Sequence, residues 1–365
     1  MLRTDTLVKE AQEILEWDVL KFWSVMQDPQ GGFFGEVGSD GEPDKDAPRS
    51  AQLNARILWA FSKAYGKFKK KEYLIPATNA SDYFLKNFID HKYGGVYSTV
   101  DGFGERVDTD CVLSNQALAI YALSEFYAAS QDDEALKSAV NVYKIVRKEF
   151  HDEENGGFYA KLTRDFNEID TNKEAISHVF LAEGLASLYR VWKDESLRKD
   201  LTSLLKLIRE KFYDVNSGHF FPKFDKEWNE IPLGVQYGLD LEASWAILDA
   251  AYATEDIDTV NVVKDVTARL LMYGMDGLQE DGHVAYGIGS DGRLYASMVP
   301  YVQAEAIIAN LLGWKYQGYA EGGDNALKIW AYVKSHLSDN ANANAFRKYP
   351  MHAARACVTI LDLFK

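Results

Sequence analysis

Two glutamates, Glu242 and Glu305, and seven histidines are the residues whose types and positions bear first on acid–base chemistry in this chain. Paired carboxylates are the equipment of glycoside hydrolysis, and Glu242 and Glu305, on different helices, are placed to converge. Asp240 and Glu242 are two residues apart at a helix start and therefore diverge. The histidines, at 91, 151, 178, 219, 283, 336 and 352, follow no metal-binding interval and form no HExxH, so no metal is expected. His91, His151 and His336 fall at the ends of charged helices and read as surface residues. His219 stands in a hairpin and reads as structural. Gly287-Ile288-Gly289-Ser290-Asp291-Gly292 satisfies GxGxxG but has no β-α-β surroundings, so it reads as a turn and implies no nucleotide cofactor. Trp59, Trp245, Tyr237 and Tyr301 lie near helix starts, where aromatic rings either stack on pyranose faces or fill the core.

The elements that must position these groups are repeated. Gly31-Gly32-Phe33-Phe34, Gly94-Gly95-Val96-Tyr97, Gly156-Gly157-Phe158-Tyr159 and Gly218-His219-Phe220-Phe221 share a glycine–aromatic pattern, with Gly32, Gly95, Gly157 and Gly218 separated by 63, 62 and 61 residues. A fainter copy follows at Asp276-Gly277-Leu278. A fixed period of this size marks a repeated supersecondary unit, and 365 residues hold six of them. Each unit reads as a helix with one charged face, a glycine hairpin, and a helix apolar all round, which must be buried. The expectation is an all-α (α/α)6 barrel, six outer and six inner helices with short glycine–aromatic hairpins, in a single domain over 1–365. An open solenoid is the alternative, although such arrays carry polar capping repeats and the last helix here is as apolar as the others. Polar residues at the inner-helix starts are the candidates for a shared cavity: Asn54 and Arg56, Asn115 and Gln116, His178, Tyr237, Asp240 and Glu242, Gln303 and Glu305, His352 and Arg355.

With 40 basic against 55 acidic residues the net charge is −15, which argues against nucleic acid and anionic membrane surfaces as partners. The N-terminus shows no apolar signal region and no run is long enough to span a membrane, so a cytoplasmic location is expected. Cys111 and Cys357 form no CxxC and read as buried thiols in helical segments.

Four of these segments resemble the N-acylglucosamine and cellobiose 2-epimerases. Leu53-Asn54-Ala55-Arg56-Ile57-Leu58-Trp59 is similar to the family's L-H-S-R-I-L-W, and Tyr237-Gly238-Leu239-Asp240-Leu241-Glu242-Ala243-Ser244-Trp245 to Y-G-H-D-I-E-A-T-W. Val302-Gln303-Ala304-Glu305-Ala306 matches V-Q-A-E-A, and Pro350-Met351-His352-Ala353-Ala354-Arg355-Ala356-Cys357 resembles P-Y-H-N-G-R-M-C. The resemblance implies a sugar 2-epimerase or aldose–ketose isomerase that opens a reducing mono- or disaccharide and moves the C2 proton without a cofactor, as a monomer or homodimer. Imidazole suits that work because it titrates near neutrality.

Carried over residue by residue, the resemblance makes His352 and Arg56 catalytic, with Arg56 at the sugar's reactive end. Glu242 and Glu305 fall on carboxylates that orient substrate and histidines, and Tyr237, Tyr301 and Arg355 are expected to bind substrate. The set is incomplete. The histidine of Y-G-H-D is Leu239 here, Phe180 falls on another active-site histidine, and Asn54 replaces a third. His178 lies two residues from Phe180, roughly 200° round a helix. Two further readings therefore stay open: a sugar-binding relative without turnover, and a glycoside hydrolase or lyase using Glu242 and Glu305.

Overall fold

A computed structural model describes residues 4–37, 42–336 and 346–364. Met1–Arg3 and Lys365, where the expected first and last helices begin and end, lie outside the described residues. Among those residues twelve helices alternate in character. The amphipathic set is α1 (4–25), α3 (Lys71–Asn87), α5 (133–150), α7 (195–212), α9 (Ile257–Gly274) and α11 (Gly322–His336). The buried set is α2 (Ala51–Phe68), α4 (Leu113–Ser130), α6 (Ala175–Val191), α8 (Tyr237–Ala253), α10 (Pro300–Leu312, with a π-helical turn to Gln317) and α12 (Pro350–Phe364). Local signals set their ends. Ser50 Oγ accepts from the Leu53 amide at the start of α2, Asp132 and Asp256 cap α5 and α9, and Pro300 opens α10. No helix among the described residues is long and apolar enough to cross a membrane.

Contacts divide the chain into two compact units, one of residues 1–20, 202–224 and 229–365, the other of 21–201 and 225–228. In the first, α8 packs on α9 and α10, α10 on α11 and α12, and α1 on α12. In the second, α2 packs on α3 and α4, and α4 on α5 and α6. The α4–α6 approach is close because Gly184 has no side chain, and a Cβ there would stand 2.7 Å from the Ala117 carbonyl oxygen.

Short antiparallel strands link successive repeats in one register. Cys111 and Val112 pair with Leu162 and Lys161 much as Arg49 and Ser50 pair with Val100 and Thr99, and Val235 and Gln236 with Ile288 and Gly287. Cys111 is thus in a strand that opens onto α4, not in a helix as expected, and both cysteines are buried and free. The strands starting at Arg49, Cys111, Lys173 and Val235 recur every 62 residues. The expected interval was shorter because Gly218 was aligned with Gly157. The backbone aligns His219 there: the amides of Asp28, Asp90, Asp152 and Asp214 donate to the carbonyls of Gly32, Gly95, Gly157 and His219.

Each hairpin is held by side chains at fixed offsets. Asp28, Asp90, Asp152 and Asp214 each accept the amide two residues on, the bonds of an Asx turn. Arg49, Arg164 and Lys173 ion-pair with the first three. Burial opposes ionisation of Asp90 and Asp152, but the bonds from Arg164 and Lys173 and from backbone amides win and hold both carboxyls at about 2.

From the other side, the following buried helix sends one polar side chain back to the hairpin backbone. Gln116 Nε2 donates to Val96 O at 2.9 Å, His178 Nε2 accepts from the Phe158 amide at 3.1 Å, and Asp240 Oδ1 accepts from the Phe220 amide at 2.9 Å. Gln303 both accepts from and donates to Val284, at 2.8 and 2.7 Å. These four were expected to line a shared cavity. Their recurrence instead reflects a demand made in these four repeats, that buried hairpin amides and carbonyls be paired, whereas Asn54, at the matching place in the first, donates to Ser50 O. Gly287–Gly292 belongs to a β-hairpin, as its turn reading required, and His91, His151 and His336 are exposed.

His178 is therefore a structural imidazole. Its Nδ1 lies 2.7 Å from the Glu174 carbonyl, so Nδ1 carries the proton and Nε2 is the acceptor for Phe158. Burial holds its pKa down at about 4. The unfolded chain binds a proton at this residue between its ordinary pKa and that value and the folded one does not, so stability falls as pH drops from about 6.5 to about 4. Glutamine can make both bonds without titrating, as Gln303 does. His178→Gln should flatten this acid limb of the melting curve by roughly 3 kcal/mol at pH 4, read from urea midpoints at pH 4 and 7. An unchanged slope would remove His178 as the cause. Gly184→Ala should destabilise by about 1–3 kcal/mol through overpacking, and a neutral result by the same measurement would show that α4 and α6 separate freely.

Candidate active site

Three buried helices of the first unit each present groups one turn apart, which places them on a common face. From α8 come Leu239, Glu242 and Trp245, from α10 Tyr301 and Glu305, and from α12 His352 and Arg355. Glu242, Glu305, His352 and Arg355 are all at least 96% buried. The convergence expected of the two glutamates is present, and a guanidinium makes it possible. Arg355 Nη2 lies 2.5 Å from Glu242 Oε1, 2.6 Å from Glu305 Oε1 and 3.3 Å from His352 Nδ1. The guanidinium carbon sits 4.6 Å from the Trp245 ring, a cation–π contact.

Glu305 is the most fully engaged carboxylate. Oε1 accepts from Arg355 and faces His352 Nδ1 at 2.7 Å, and Oε2 accepts from Trp245 Nε1 at 2.9 Å. A carboxylate in that setting cannot donate, so the proton of the 2.7 Å bond belongs to Nδ1. Arg355 also only donates, which makes its 3.3 Å approach to Nδ1 a neighbour contact rather than a bond. The tautomer is thereby fixed and Nε2 carries the basic lone pair. Orientation of imidazole by a buried carboxylate is the arrangement that general bases require.

Glu242 is held less tightly. Oε1 meets Arg355, while Oε2 is buried with no hydrogen-bond partner among the described residues. Burial, and then the charge of Glu305, push its pKa up against the pull of Arg355 and His352. Two carboxylates sharing one guanidinium leave a net negative charge in a low-dielectric setting, and a proton on the cluster relieves it.

The ligand atoms of Glu242, Glu305 and His352 lie within 4.8 Å of one another, a spacing that would suit a divalent ion. The position facing all three is taken by Arg355 Nη2, whose charge does a cation's work there.

The Tyr301 ring lies 5.6 Å from that of His352, and its phenol pKa is raised by burial and then by Tyr286, Glu242 and Glu305. A Cβ on Gly238 would stand 3.1 Å from the Tyr301 hydroxyl, so the glycine beside Leu239 makes room for that ring. Tyr237 is placed differently. Its ring covers Gly277 and lies edge-on to His219, and it makes none of the bonds of the Glu305 cluster. His219 itself bonds the buried Asp240 at 2.8 Å, in keeping with its structural reading. Arg56 belongs to the second unit, where it reaches Gln52 Oε1 at 3.3 Å and lies 6.0 Å from the Phe180 ring. Arg355, expected to bind substrate, bonds the two carboxylates. Reasoning from sequence missed Trp245 as a donor to Glu305. It also passed over Tyr286 and Tyr349, which lie near enough to bear on the Tyr301 phenol and whose hairpin and pre-helix positions carried no motif.

Comparison with known proteins bears on the family and the fold. The family model described as N-acylglucosamine 2-epimerase (GlcNAc 2-epimerase) matches residues 32–358. A cellobiose 2-epimerase of Bacteroides fragilis is 31% identical, the match covering 98% of this chain and 99% of that one. A cellobiose 2-epimerase structure from Bacillus thermoamylovorans superposes with a TM-score of 0.93 at 29% identity, over 98% of this chain and 100% of the other. A D-mannose isomerase structure, at 18% identity, shares the fold with a TM-score of 0.84 over 97% and 98% of the two chains. The chain belongs to the N-acylglucosamine 2-epimerase family and has its (α/α)6 barrel fold.

Proposed function

We propose that this protein is a sugar isomerase of its family that works with one imidazole, moving a proton between C2 and C1 of a ring-opened reducing mono- or disaccharide. The observation that carries this reading is the 2.7 Å bond from His352 Nδ1 to the buried Glu305, which makes Nε2 a base of fixed direction. Relatives named as cellobiose 2-epimerases and a D-mannose isomerase support the substrate class and the type of reaction. Inversion at C2 needs an acid–base group on each face of the enediol. Leu239 and Phe180 occupy two positions where the family resemblance calls for histidine, and His178 is committed to the Phe158 and Glu174 backbone. A single base serving one face returns the proton to C2 with retention or delivers it to C1, and the second outcome is isomerisation.

In this reading a donor must hold the sugar oxygen that gains charge, the role that the family resemblance gives to Arg56. Tyr301 offers a ring to the pyranose face. The hydrolase alternative is disfavoured by geometry. The two carboxyl groups of a glycosidase flank the scissile bond, whereas Glu242 and Glu305 converge on one guanidinium nitrogen.

The test is deuterium uptake from heavy water into cellobiose, glucose and mannose, with products separated by chromatography. Wild type should exchange and yield ketose with little C2 epimer, and His352→Ala should lower exchange by about 10²–10⁴-fold. Rapid epimerisation by the wild type would sink the one-imidazole mechanism. Sugar binding by calorimetry without any exchange would establish the non-catalytic alternative instead.

A further inference from the structure

We infer that Glu242 is the second proton-transfer residue of this site, shuttling a proton between the sugar's O1 and O2 through its Oε2 while His352 moves the carbon-bound proton. The inference rests on the isomerase reading above and assigns a group that reading leaves open.

Position is the first argument. Leu239 and Glu242 are three residues apart on α8 and share a face. The glutamate therefore stands one turn from the position where the family resemblance calls for an imidazole. That this face is turned toward the site is shown one turn further on, where Trp245 bonds Glu305. The second argument is valence. Oε1 is engaged by Arg355, whereas Oε2 is buried without a partner among the described residues. A buried carboxyl oxygen left bare is costly unless something fills its hydrogen-bonding capacity, and a substrate hydroxyl or carbonyl would do so. Separation is the third. A carboxylate oxygen of Glu242 and a ring nitrogen of His352 lie within 4.8 Å of one another, so the two side chains stand close enough to act on one small molecule.

The charges that face Glu242 are Glu305 and Arg355, with His352 beside them. Burial and Glu305 favour a proton on Glu242, and Arg355 opposes it. The carboxyl is thus poised to give a proton and recover it.

The step balances as follows. His352 Nε2 takes the C2 proton, the C2–H electrons become the C1–C2 double bond, and the C1–O1 π electrons take the proton from Glu242 Oε2. Glu242 Oε2 then takes the proton of the O2 hydroxyl, whose electrons form the C2–O2 double bond. The C1–C2 π electrons capture the proton held by His352 at C1. Both side chains return to their starting states, and no co-reactant is required.

Glu242→Gln keeps the length and the Arg355 contact but cannot relay a proton. It should lose about 10²-fold or more in kcat for aldose–ketose interconversion, with the KM and the calorimetric affinity for sugar within about threefold of wild type. Adding Leu239→His to that variant supplies an imidazole on the same helix face and should recover at least tenfold in deuterium exchange. Should Glu242→Gln fail to fold, Glu242→Asp takes its place, keeping the charge but withdrawing the oxygen by one methylene, with the same loss expected. Wild-type kcat in the variant that folds, alongside an inactive His352→Ala, would overturn the role of Glu242 and leave the isomerase reading intact. Loss of sugar affinity in parallel with kcat would overturn it too, by showing a binding role. Unimpaired exchange in His352→Ala would refute the isomerase reading itself.

Discussion

The structure depends on one constraint: a tight glycine hairpin carries buried backbone amides and carbonyls, and something must pair them. Aspartates at 28, 90, 152 and 214 satisfy each turn from within. Gln116, His178, Asp240 and Gln303 satisfy its far side from the next buried helix. Four repeats solve this problem from the helix side, but the solutions differ in cost. An amide is neutral and bonds in both directions. Imidazole must stay neutral, which burial ensures. Asp240 brings a charge into the interior, where burial raises its pKa, and His219 lies against it as the partner that the other hairpins do without.

The cluster around Arg355 is built on the opposite economy. Its helices do not neutralise each carboxylate separately. They let Arg355 serve both, fix Glu305 with three donors, and leave Glu242 with one oxygen unused. That asymmetry turns two identical side chains into different instruments. One orients an imidazole, and the other has a proton affinity that small changes can move. Neither property belongs to glutamate as a residue type. Both follow from how many donors each oxygen meets once water is gone.

The architecture was legible because apolar periodicity and glycine spacing are local properties that survive in the chain. The alternation of all-apolar and one-sided helices gave the pairing, and four segments gave the family. His352, Glu242 and Glu305 could be found by those segments, and the structure brings them together with Arg355. What could not be read was the purpose of polar residues recurring at each helix start. Gln116, His178, Asp240 and Gln303 have the sequence appearance of a binding surface, and only the direction of each side chain reveals a bond to backbone. Trp245 shows the reverse. Its place in an apolar helix suggests core, yet its indole N–H holds the carboxylate that orients His352. Cys111 was assigned to a helix because the apolar stretch around it runs without a break across the strand boundary.

The backbone-pairing positions 116, 178, 240 and 303 have neighbours two residues on, at 118, 180, 242 and 305, which look out from the far side of the same helices. Leu118 and Phe180 fill two of these places, and Glu242 and Glu305 the others. Four repeats thus carry, two residues apart, one position that bonds the hairpin backbone and one on the opposite side of the helix. Mutations at the second position leave the hairpin's bonds untouched, so one scaffold can lose, acquire or exchange reactive groups without relearning how to fold. Leu118 and Phe180 are in this sense sockets filled by buried apolar groups, so new chemistry installed there must make good their packing.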